Sequence, residues 1–217
     1  WADACRNGDA VIQVAWYAAP GKYLYSSLNF DCMIGTAVFA RACAKAGINK
    51  FVGIGTCFEY DLSLGKLSTE TPLNPNTPYG ASKVAVFYSL SEYFSTVDVK
   101  FAWCRLFYLY GEGEDPGRLV PYIRAKLEQG EEVELSAGNQ VRDFIDVRLA
   151  GANIVRVALG DRIGPVNICS GIGITVRALA ENIADEYGRR DLLRFGARPD
   201  NLVDPPCVVG VIERSEK

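Results

Sequence analysis

Histidine is absent from all 217 residues of this chain. Without an imidazole, the chain can assemble neither a Ser-His-Asp triad nor a Cys-His pair, so both nucleophilic schemes are excluded. Zinc sites usually recruit histidines or closely spaced cysteines, and the seven cysteines show no C-x-x-C spacing. Acid-base chemistry must therefore fall to tyrosine, lysine, cysteine or carboxylate side chains.

Long apolar runs and clusters of positive charge are also missing. The apolar run at residues 10–19 is too short to cross a bilayer, and no signal-peptide pattern opens the chain. The net charge is -3 and the lysines and arginines are scattered, which is not the footprint of a nucleic-acid-binding protein. An odd number of cysteines is typical of small buried side chains in a reducing compartment. We therefore predict a cytoplasmic protein with no nucleic-acid partner, no membrane partner and no metal.

Apolar runs and helical patterns alternate through the first half of the chain. Residues 10–16, 51–55 and 99–108 have the composition of buried strands, and residues 29–47 and 82–94 have helical patterns. Strand, helix, strand, helix, strand predicts a parallel α/β sheet with right-handed crossovers. Further helices are predicted at 119–129, 149–159 and 176–187, and short strands at 133–135 and 165–168.

Tyr79 and Lys83 are four residues apart near the predicted start of a helix, so they share one helix face. A neighbouring ammonium favours phenolate, and we expect Lys83 to lower the pKa of Tyr79 from its ordinary value of about 10. A phenol tuned in this way can act as an acid or base near neutral pH. Thr56 follows the strand at 51–55, and its hydroxyl can hold the oxygen that gains or loses the proton.

The order of these motifs resembles one protein family. Thr56, three further residues, Tyr60, a Pro/Asn-rich loop and the run 78–83 (Pro-Tyr-Gly-Ala-Ser-Lys) follow one another. This order resembles the extended short-chain dehydrogenase/reductases, which are nucleotide-sugar epimerases, dehydratases and ketoreductases. The resemblance implies an α/β, Rossmann-like, doubly wound parallel sheet with a small C-terminal α/β substrate lobe. It implies a partial dinucleotide-binding domain at 1–112, with parts of 140–165, and a substrate-binding lobe mainly at 113–217.

The glycine-rich turn with which such proteins grip a dinucleotide is missing. Family members begin with a strand and G-x-x-G-x-x-G, whereas this chain has only G-x-G pairs at 53, 111 and 171. The chain therefore starts near what would be the fourth strand. We expect the N-terminal half of the sheet to lie outside this sequence, and the protein to be longer than 217 residues.

The resemblance assigns roles to particular residues. Tyr79 would be the general acid/base, Lys83 would tune it and hold the nicotinamide ribose, and Thr56 would clamp the substrate oxygen. The implied cofactor is NAD or NADP, with contacts from Ala15, Trp16, Tyr79, Lys83 and Phe107. The implied substrate is a nucleotide sugar, with contacts from Thr56, Tyr108, Leu119, Arg142 and Arg198. The two arginines would bind the diphosphate, and Tyr108 stands where the family commonly has asparagine.

The implied reaction is hydride transfer at a sugar carbon, expected to be C4. Dehydratases of the family place Asp-Glu after the hydroxyl residue, and here Cys57-Phe58 stand there, so dehydration is disfavoured. A 4-epimerase and a 4-ketoreductase both remain open, and so does a cofactor-binding regulatory relative without turnover. Cys57 itself is expected to be a buried thiol, with a direct role as the alternative.

A homodimer is the expected assembly, because in this family two adjacent helices pair with their copies as a four-helix bundle. The helices would be those at 29–47 and 82–94. The predicted seam consists of Ile34, Val38, Phe39, Val86, Phe87 and Leu90.

Overall fold

The computed structural model describes residues 10–201 and 204–213. Its strands are β1 (Ala10–Gln13), β2 (Lys50–Thr56), β3 (Lys66–Leu67), β4 (Lys100–Leu106), β5 (Tyr108–Tyr110), β6 (Val133–Leu135), β7 (Val141–Asp146), β8 (Gly164–Ile168), β9 (Gly173–Thr175), β10 (Leu193–Phe195) and β11 (Cys207–Gly210). Its α-helices are α1 (Leu28–Lys45), α2 (Pro78–Ser95), α3 (Leu119–Glu128), α4 (Val147–Leu159) and α5 (Val176–Glu186). Short 3₁₀ turns lie at Tyr23–Tyr25, Cys57–Glu59, Leu62–Leu64 and Arg190–Leu192.

The central sheet is parallel, with strand order β1-β2-β4-β8. Helices α1 and α2 cover one face, where their apolar side chains pack on Phe51 and Trp103. Helix α4 covers the other face, packing on Val52, Cys104 and Val166. Both faces of β2 are therefore buried, which explains why its sequence is apolar without alternation. The predicted doubly wound α/β sheet is confirmed.

The C-terminal part of the chain builds two smaller sheets. One has the order β3-β11-β7-β5, with β9 antiparallel to β7, and the other pairs β10 with β6. Helices α3 and α5 enclose a separate apolar cluster that includes Ile123, Val133 and Ile183. The chain enters the second sheet directly after β4, since Leu106 pairs with Ile168 and Tyr108 with Phe144. The division of the chain near residue 112 stays a prediction.

Of the element boundaries that differ from the predicted ones, three change the site. Strand β1 ends at Gln13, so residues 14–16 leave the sheet. Helix α2 begins at Pro78, where the Thr77 hydroxyl accepts a hydrogen bond from Gly80 N at 3.2 Å and proline occupies the first turn. Tyr79 and Lys83 therefore both lie in the helix. Strand β4 ends at Leu106 rather than at Tyr108.

The predicted dimer seam is wrong for two residues. Val86 and Leu90 are buried inside the protomer, against the central sheet. Phe39 and Phe87 are partly buried against the same cluster. Ile34 and Val38 are more than half exposed, as a seam requires. Among the helices described, none combines the length and the apolar character needed to span a membrane.

Candidate active site

A cleft of about 490 Å³ opens at the carboxyl ends of β2 and β4. Ligand sites of parallel α/β sheets lie at this edge, and the volume falls within the range of small-molecule pockets. Of the residues predicted to act, the cleft brings together Thr56, Tyr79, Lys83, Trp16, Phe107 and Tyr108. The roles assigned to these residues stay predictions.

The three predicted catalytic side chains come from two elements. Thr56 is the last residue of β2, and its hydroxyl is a hydrogen-bond partner of the Tyr79 phenol. Tyr79 lies in the first turn of α2, and Lys83 lies one turn later with only 2% of its surface exposed. The ammonium of Lys83 donates to the carbonyl of Ile54 at 2.6 Å, which ties the helix to the strand.

The expected effect of Lys83 on the Tyr79 phenol is wrong for this arrangement. Burial raises the pKa of Tyr79, and the nearby Tyr23 raises it further, whereas the hydrogen bond to Thr56 opposes them. Burial also lowers the pKa of Lys83 from its ordinary value to about 7. Burial thus removes the Lys83 ammonium from water as well, and this group lies 5.9 Å from the centroid of the Tyr79 ring. At neutral pH, Tyr79 is thus a protonated phenol that is ready to donate.

Trp16 forms the wall next to Lys83. The lysine ammonium lies 3.7 Å from the centroid of the Trp16 ring, which is a close cation–π contact. The indole N–H donates to the side-chain oxygen of Asn29 at 2.8 Å, and Asn29 is fully buried at the start of α1. One ammonium hydrogen of Lys83 is used by Ile54, so its other donors are available to the hydroxyls of a ribose.

These residues fit the nicotinamide end of a dinucleotide. Trp16 and Phe107 offer flat apolar surfaces to the cleft, and Lys83 supplies hydrogen-bond donors beside Trp16. Ala15 lies instead in a second, more open cavity of about 810 Å³, which is bounded by β1 and α1 and shares Trp16 with the cleft. The hydroxyl of Thr36 is buried there without a hydrogen-bond partner in the described part of the chain. A ligand passing from the cleft into this cavity would meet that hydroxyl.

A buried network of hydrogen bonds around an ion pair holds the backbone of Thr56. The carboxylate of Glu59 accepts hydrogen bonds from Thr56 N at 2.8 Å, from Arg105 Nε at 2.7 Å and from the Trp103 indole at 3.0 Å. Burial raises the pKa of Glu59, although Arg105 opposes this shift. A Cβ at Gly55 would stand 2.3 Å from the Trp103 indole nitrogen, so only glycine leaves room for the network.

The same network continues toward β8. Arg105 Nη1 donates to the Tyr60 oxygen at 3.1 Å, and the Tyr60 hydroxyl donates to Asn167 at 2.7 Å. Glu59 lies in the 3₁₀ turn after β2 and Arg105 lies in β4; both are buried, and neither lines the cleft. They are positioning residues. The sequence alone assigned no role to Glu59 and Arg105, because a sequence pattern does not show which distant side chain will pair with a buried charge.

Cys57 lines the cleft directly after Thr56, with its thiol buried. Burial and the neighbouring Glu59 raise the pKa of the thiol to about 12. A neutral thiol is a poor nucleophile and a poor metal ligand. This agrees with the expectation that Cys57 is a buried thiol.

The predicted diphosphate residues lie outside the cleft lining. Arg142 is buried beside Tyr108, and its Nη2 donates to Asp204 at 2.6 Å. Arg198 is half exposed on the C-terminal part, where its guanidinium contacts the hydroxyl of Tyr122 at 2.9 Å. Leu119 begins α3, one residue after Arg118, which does line the cleft. The structure therefore brings Arg118 to the cleft, a residue to which the sequence assigned no role.

Tyr23 is a second residue of the cleft that the sequence prediction missed. Its ring meets the Tyr79 ring edge-on, with centroids 4.8 Å apart and an interplanar angle of 90°. It lies in a short 3₁₀ turn between β1 and α1. The only signal in the sequence was a tyrosine after Pro20-Gly21, which is typical of any turn.

Comparisons with known proteins show the family to which the chain is related. The family model described as "NAD dependent epimerase/dehydratase family" matches residues 2–168. The dTDP-6-deoxy-L-talose 4-dehydrogenase (NAD(+)) of Aggregatibacter actinomycetemcomitans is 25% identical over 210 residues, which are 96% of this chain and 77% of that protein. The dTDP-glucose 4,6-dehydratase of Streptomyces niveus is 27% identical over 191 residues. That match covers 86% of this chain and only 57% of the relative's own length.

Solved structures share the fold. The UDP-N-acetylglucosamine 4-epimerase of Methanobrevibacter ruminantium M1, in complex with UDP-N-acetylmuramic acid, superposes with a TM-score of 0.84 at 21% identity. The match covers 97% of this chain and 70% of the epimerase. A dTDP-glucose 4,6-dehydratase of Streptomyces venezuelae, solved with NAD bound, gives a TM-score of 0.80 at 23% identity and covers 97% and 66%. At these identities the likeness concerns the fold alone.

Proposed function

Because the chain belongs to the NAD-dependent epimerase/dehydratase family, we propose that it acts on a nucleotide-activated sugar with NAD or NADP as cofactor. The proposed reaction is hydride transfer at a sugar carbon, expected to be C4, with Tyr79 moving the hydroxyl proton. The observation that carries the proposal is the meeting of Thr56, Tyr79 and Lys83 in one cleft. These residue types at this spacing serve proton transfer to a sugar oxygen.

Different residues of the cleft have different roles in the proposed reaction. The nicotinamide, when bound, exchanges a hydride with the sugar carbon. Lys83 and Trp16 hold its ribose and ring, and Phe107 closes the apolar side. Thr56 holds the sugar oxygen by a hydrogen bond, while the neighbouring Tyr79 hydroxyl gives a proton to it or takes one from it. The network of Glu59 and Arg105 keeps the Thr56 backbone in place during this transfer.

Between the two reactions left open, we favour reduction of a 4-keto sugar. Burial keeps the Tyr79 phenol protonated at neutral pH, which suits a general acid that donates to the oxygen of a ketone. A relative that aligns over nearly all of this chain is a sugar-nucleotide 4-dehydrogenase. A 4-epimerase is the second candidate, since the solved structures of the same fold include one.

The substrate's nucleotide end would extend from the cleft toward the C-terminal sheets. Tyr108 lies at the cleft wall, and Arg142 is packed against its ring with 5.4 Å between guanidinium and centroid. The guanidinium can bind a diphosphate only if its ion pair with Asp204 is broken. Arg198 and the backbone of Leu119 would act further along the nucleotide.

The proposed assembly is a homodimer formed through α1. Phe30, Ile34 and Val38 are more than half exposed and recur every four residues, so they form one apolar stripe. Sedimentation should therefore give a dimer at micromolar concentration, and Ile34→Glu should give a monomer. The change Val155→Glu, at an exposed position of α4, is the matched control and should leave the dimer intact. A wild-type monomer would contradict the proposal.

The function is tested by assaying purified protein with a panel of nucleotide sugars and 4-keto nucleotide sugars, each with NAD(H) or NADP(H). Absorbance at the nicotinamide band reports net oxidation or reduction, and chromatography of the sugar product reports epimerisation. We expect turnover of at least one substrate, with loss of activity in Tyr79→Phe. Binding of cofactor and sugar nucleotide without any turnover would support the non-catalytic alternative.

A further inference from the structure

Tyr23 is held rigidly against the proposed acid. The side-chain amide of Asn29 donates to the carbonyls of Tyr23 at 2.6 Å and of Ser26 at 2.9 Å, so it closes the 3₁₀ turn. The same side chain accepts from the Trp16 indole. One buried asparagine thus positions two aromatic rings that flank Tyr79, because Trp16 also meets Tyr79 edge-on at 6.3 Å.

Tyr108 lines the same cleft, and its hydroxyl makes no hydrogen bond to the described residues. The hydroxyl oxygen is buried, and in residues 10–201 and 204–213 it has no hydrogen-bond partner. A buried hydroxyl without a partner is unfavourable, because no hydrogen bond compensates for its lost hydration. The ring packs edge-on against Phe58 at 6.3 Å and at a tilted angle against Phe144 at 5.9 Å, and these contacts hold it in place.

The polar groups around Tyr108 are committed elsewhere. Arg142 donates to Asp204 and to the carbonyl of Val141. Cys57 is a protonated thiol, which is only a weak donor and acceptor. Tyr23, Tyr79 and Tyr108 all line the cleft, and the ring of Tyr23 meets that of Tyr79 edge-on at 4.8 Å. The three phenols therefore surround one volume, and its missing component is a polar atom beside Tyr108.

We propose that Tyr23 is a further substrate-contacting residue, that Tyr23 and Tyr108 together hold the sugar ring beside Tyr79, and that the Tyr108 hydroxyl bonds to one sugar oxygen. The inference rests on the proposed function and names the part of the substrate that these side chains read. A site built around a hydrogen bond to a substrate hydroxyl rejects the analogue that lacks it, because the buried polar group is then left unpaired. Tyr108 therefore selects for a sugar oxygenated at that carbon, and Tyr23 positions the ring.

The test compares Tyr108→Phe and Tyr23→Phe with Tyr25→Phe. Tyr25 belongs to the same 3₁₀ turn as Tyr23 but is 72% exposed and does not line the cleft. Each protein is assayed for kcat/KM on the accepted nucleotide sugar and on analogues in which one hydroxyl at a time is replaced by hydrogen. We expect Tyr108→Phe to lose about 5- to 100-fold on the parent sugar. On the one analogue that lacks the contacted oxygen, Tyr108→Phe and the wild-type protein should have the same kcat/KM, because the contact is absent in both cases.

Tyr23→Phe should lose a smaller factor, and Tyr25→Phe should behave as wild type. Equilibrium binding of the free nucleoside diphosphate should be unchanged in all three variants, since the proposed contacts are with the sugar. Tyr108→Phe should also leave the melting temperature of the ligand-free protein unchanged or raised, because it removes a buried unpaired hydroxyl.

Other outcomes would overturn the inference. An equal loss for Tyr108→Phe on every analogue would mean a purely structural role, and weaker binding of the nucleoside diphosphate would move the contact to the phosphates. Wild-type kinetics in both Tyr23→Phe and Tyr108→Phe would show that neither side chain contacts the sugar. Failure of the proposed function looks different, because the wild-type protein would then neither bind nor turn over any nucleotide sugar.

Discussion

The two sides of the cleft satisfy their polar groups in opposite ways. Beneath Thr56, the carboxylate of Glu59 is fully buried and receives hydrogen bonds from Thr56 N, Arg105 and Trp103. On the other side, the hydroxyl of Tyr108 has no partner in the described ranges, and Arg142 is paired with the partly exposed Asp204.

This difference separates two tasks. A fully bonded network fixes the position of the hydroxyl beside Tyr79, which proton transfer requires before substrate arrives. Groups that still lack partners, or that hold exchangeable ones, have hydrogen-bonding capacity left for a ligand. We therefore propose that the side of Thr56 is organised for chemistry and the side of Tyr108 for recognition. Each of the following predictions concerns a substitution on one of the two sides of the cleft.

The largest effect is expected at the proton donor. Tyr79→Phe keeps the ring and its contacts with Trp16 and Tyr23, but it removes the hydroxyl. Turnover should fall by about 10²–10⁴-fold, the usual contribution of a positioned acid or base, with little change in substrate binding. Steady-state kinetics measures this, and Tyr88→Phe, at an exposed position of the same helix, is the matched control. Wild-type turnover in Tyr79→Phe would refute the mechanism.

The network beneath Thr56 should be sensitive to the loss of one partner. Arg105→Met leaves the Glu59 carboxylate buried without its cation, and we expect the free energy of unfolding to drop by about 3–5 kcal/mol. Arg124→Met breaks an exposed pair with Glu186 and should cost only about 0.2–1 kcal/mol. Urea unfolding of both variants gives the comparison. Equal small losses would mean that the buried network contributes no more than a surface pair.

On the recognition side, a change should act on binding rather than on the chemical step. Arg142→Gln removes a charge that we propose binds the diphosphate, so KM should rise by about 10- to 100-fold. The turnover number should change little, because the diphosphate is remote from the reacting carbon and is bound alike in ground and transition states. Arg198→Gln, which alters a half-exposed arginine, should have a smaller effect. A loss confined to kcat in Arg142→Gln would contradict this division.

The last prediction concerns the pH dependence of stability at Lys83, which changes gradually over several pH units. Its pKa is about 7 in the folded protein, below the ordinary value of 10.5, so between these values the unfolded chain holds a proton that the folded protein lacks. Stability therefore rises with pH across this window, at no more than about 1.4 kcal/mol per pH unit. Lys83→Met abolishes that contribution. The wild-type minus variant difference in unfolding free energy should grow from pH 7 to 10, and a flat difference would show that Lys83 keeps an ordinary pKa.

Much of the catalytic side was predictable because its information is local. A continuous apolar run predicts a doubly covered strand, and a four-residue spacing places Tyr79 and Lys83 on one helix face. The two motifs lie close together in the sequence, so one strand–helix connection is enough to bring Thr56 and Tyr79 into contact. The helix start was missed by four residues, because Thr77 and Pro78 form a cap within a loop-like sequence.

The recognition side was harder to predict because its contacts join distant parts of the chain. Arg142 and Asp204 are 62 residues apart, and the turn at Tyr23 is fixed by a side chain of the next helix. No periodicity reports such pairings. The pKa of Tyr79 was missed for a related reason: the spacing to Lys83 predicts the attraction, but only packing determines how much water both groups lose.

The sequence by itself determined the alternation of buried strands and helices and the placement of Tyr79 and Lys83 on one helix face, since both follow from local pattern. Tertiary structure alone decided that Glu59 and Arg105 support Thr56, that Tyr23 stands against Tyr79, and that the Tyr108 hydroxyl has no partner among the described residues. Burial and long-range pairing arise only when separate segments pack together, and they determine which polar groups are already satisfied and which remain available to a ligand.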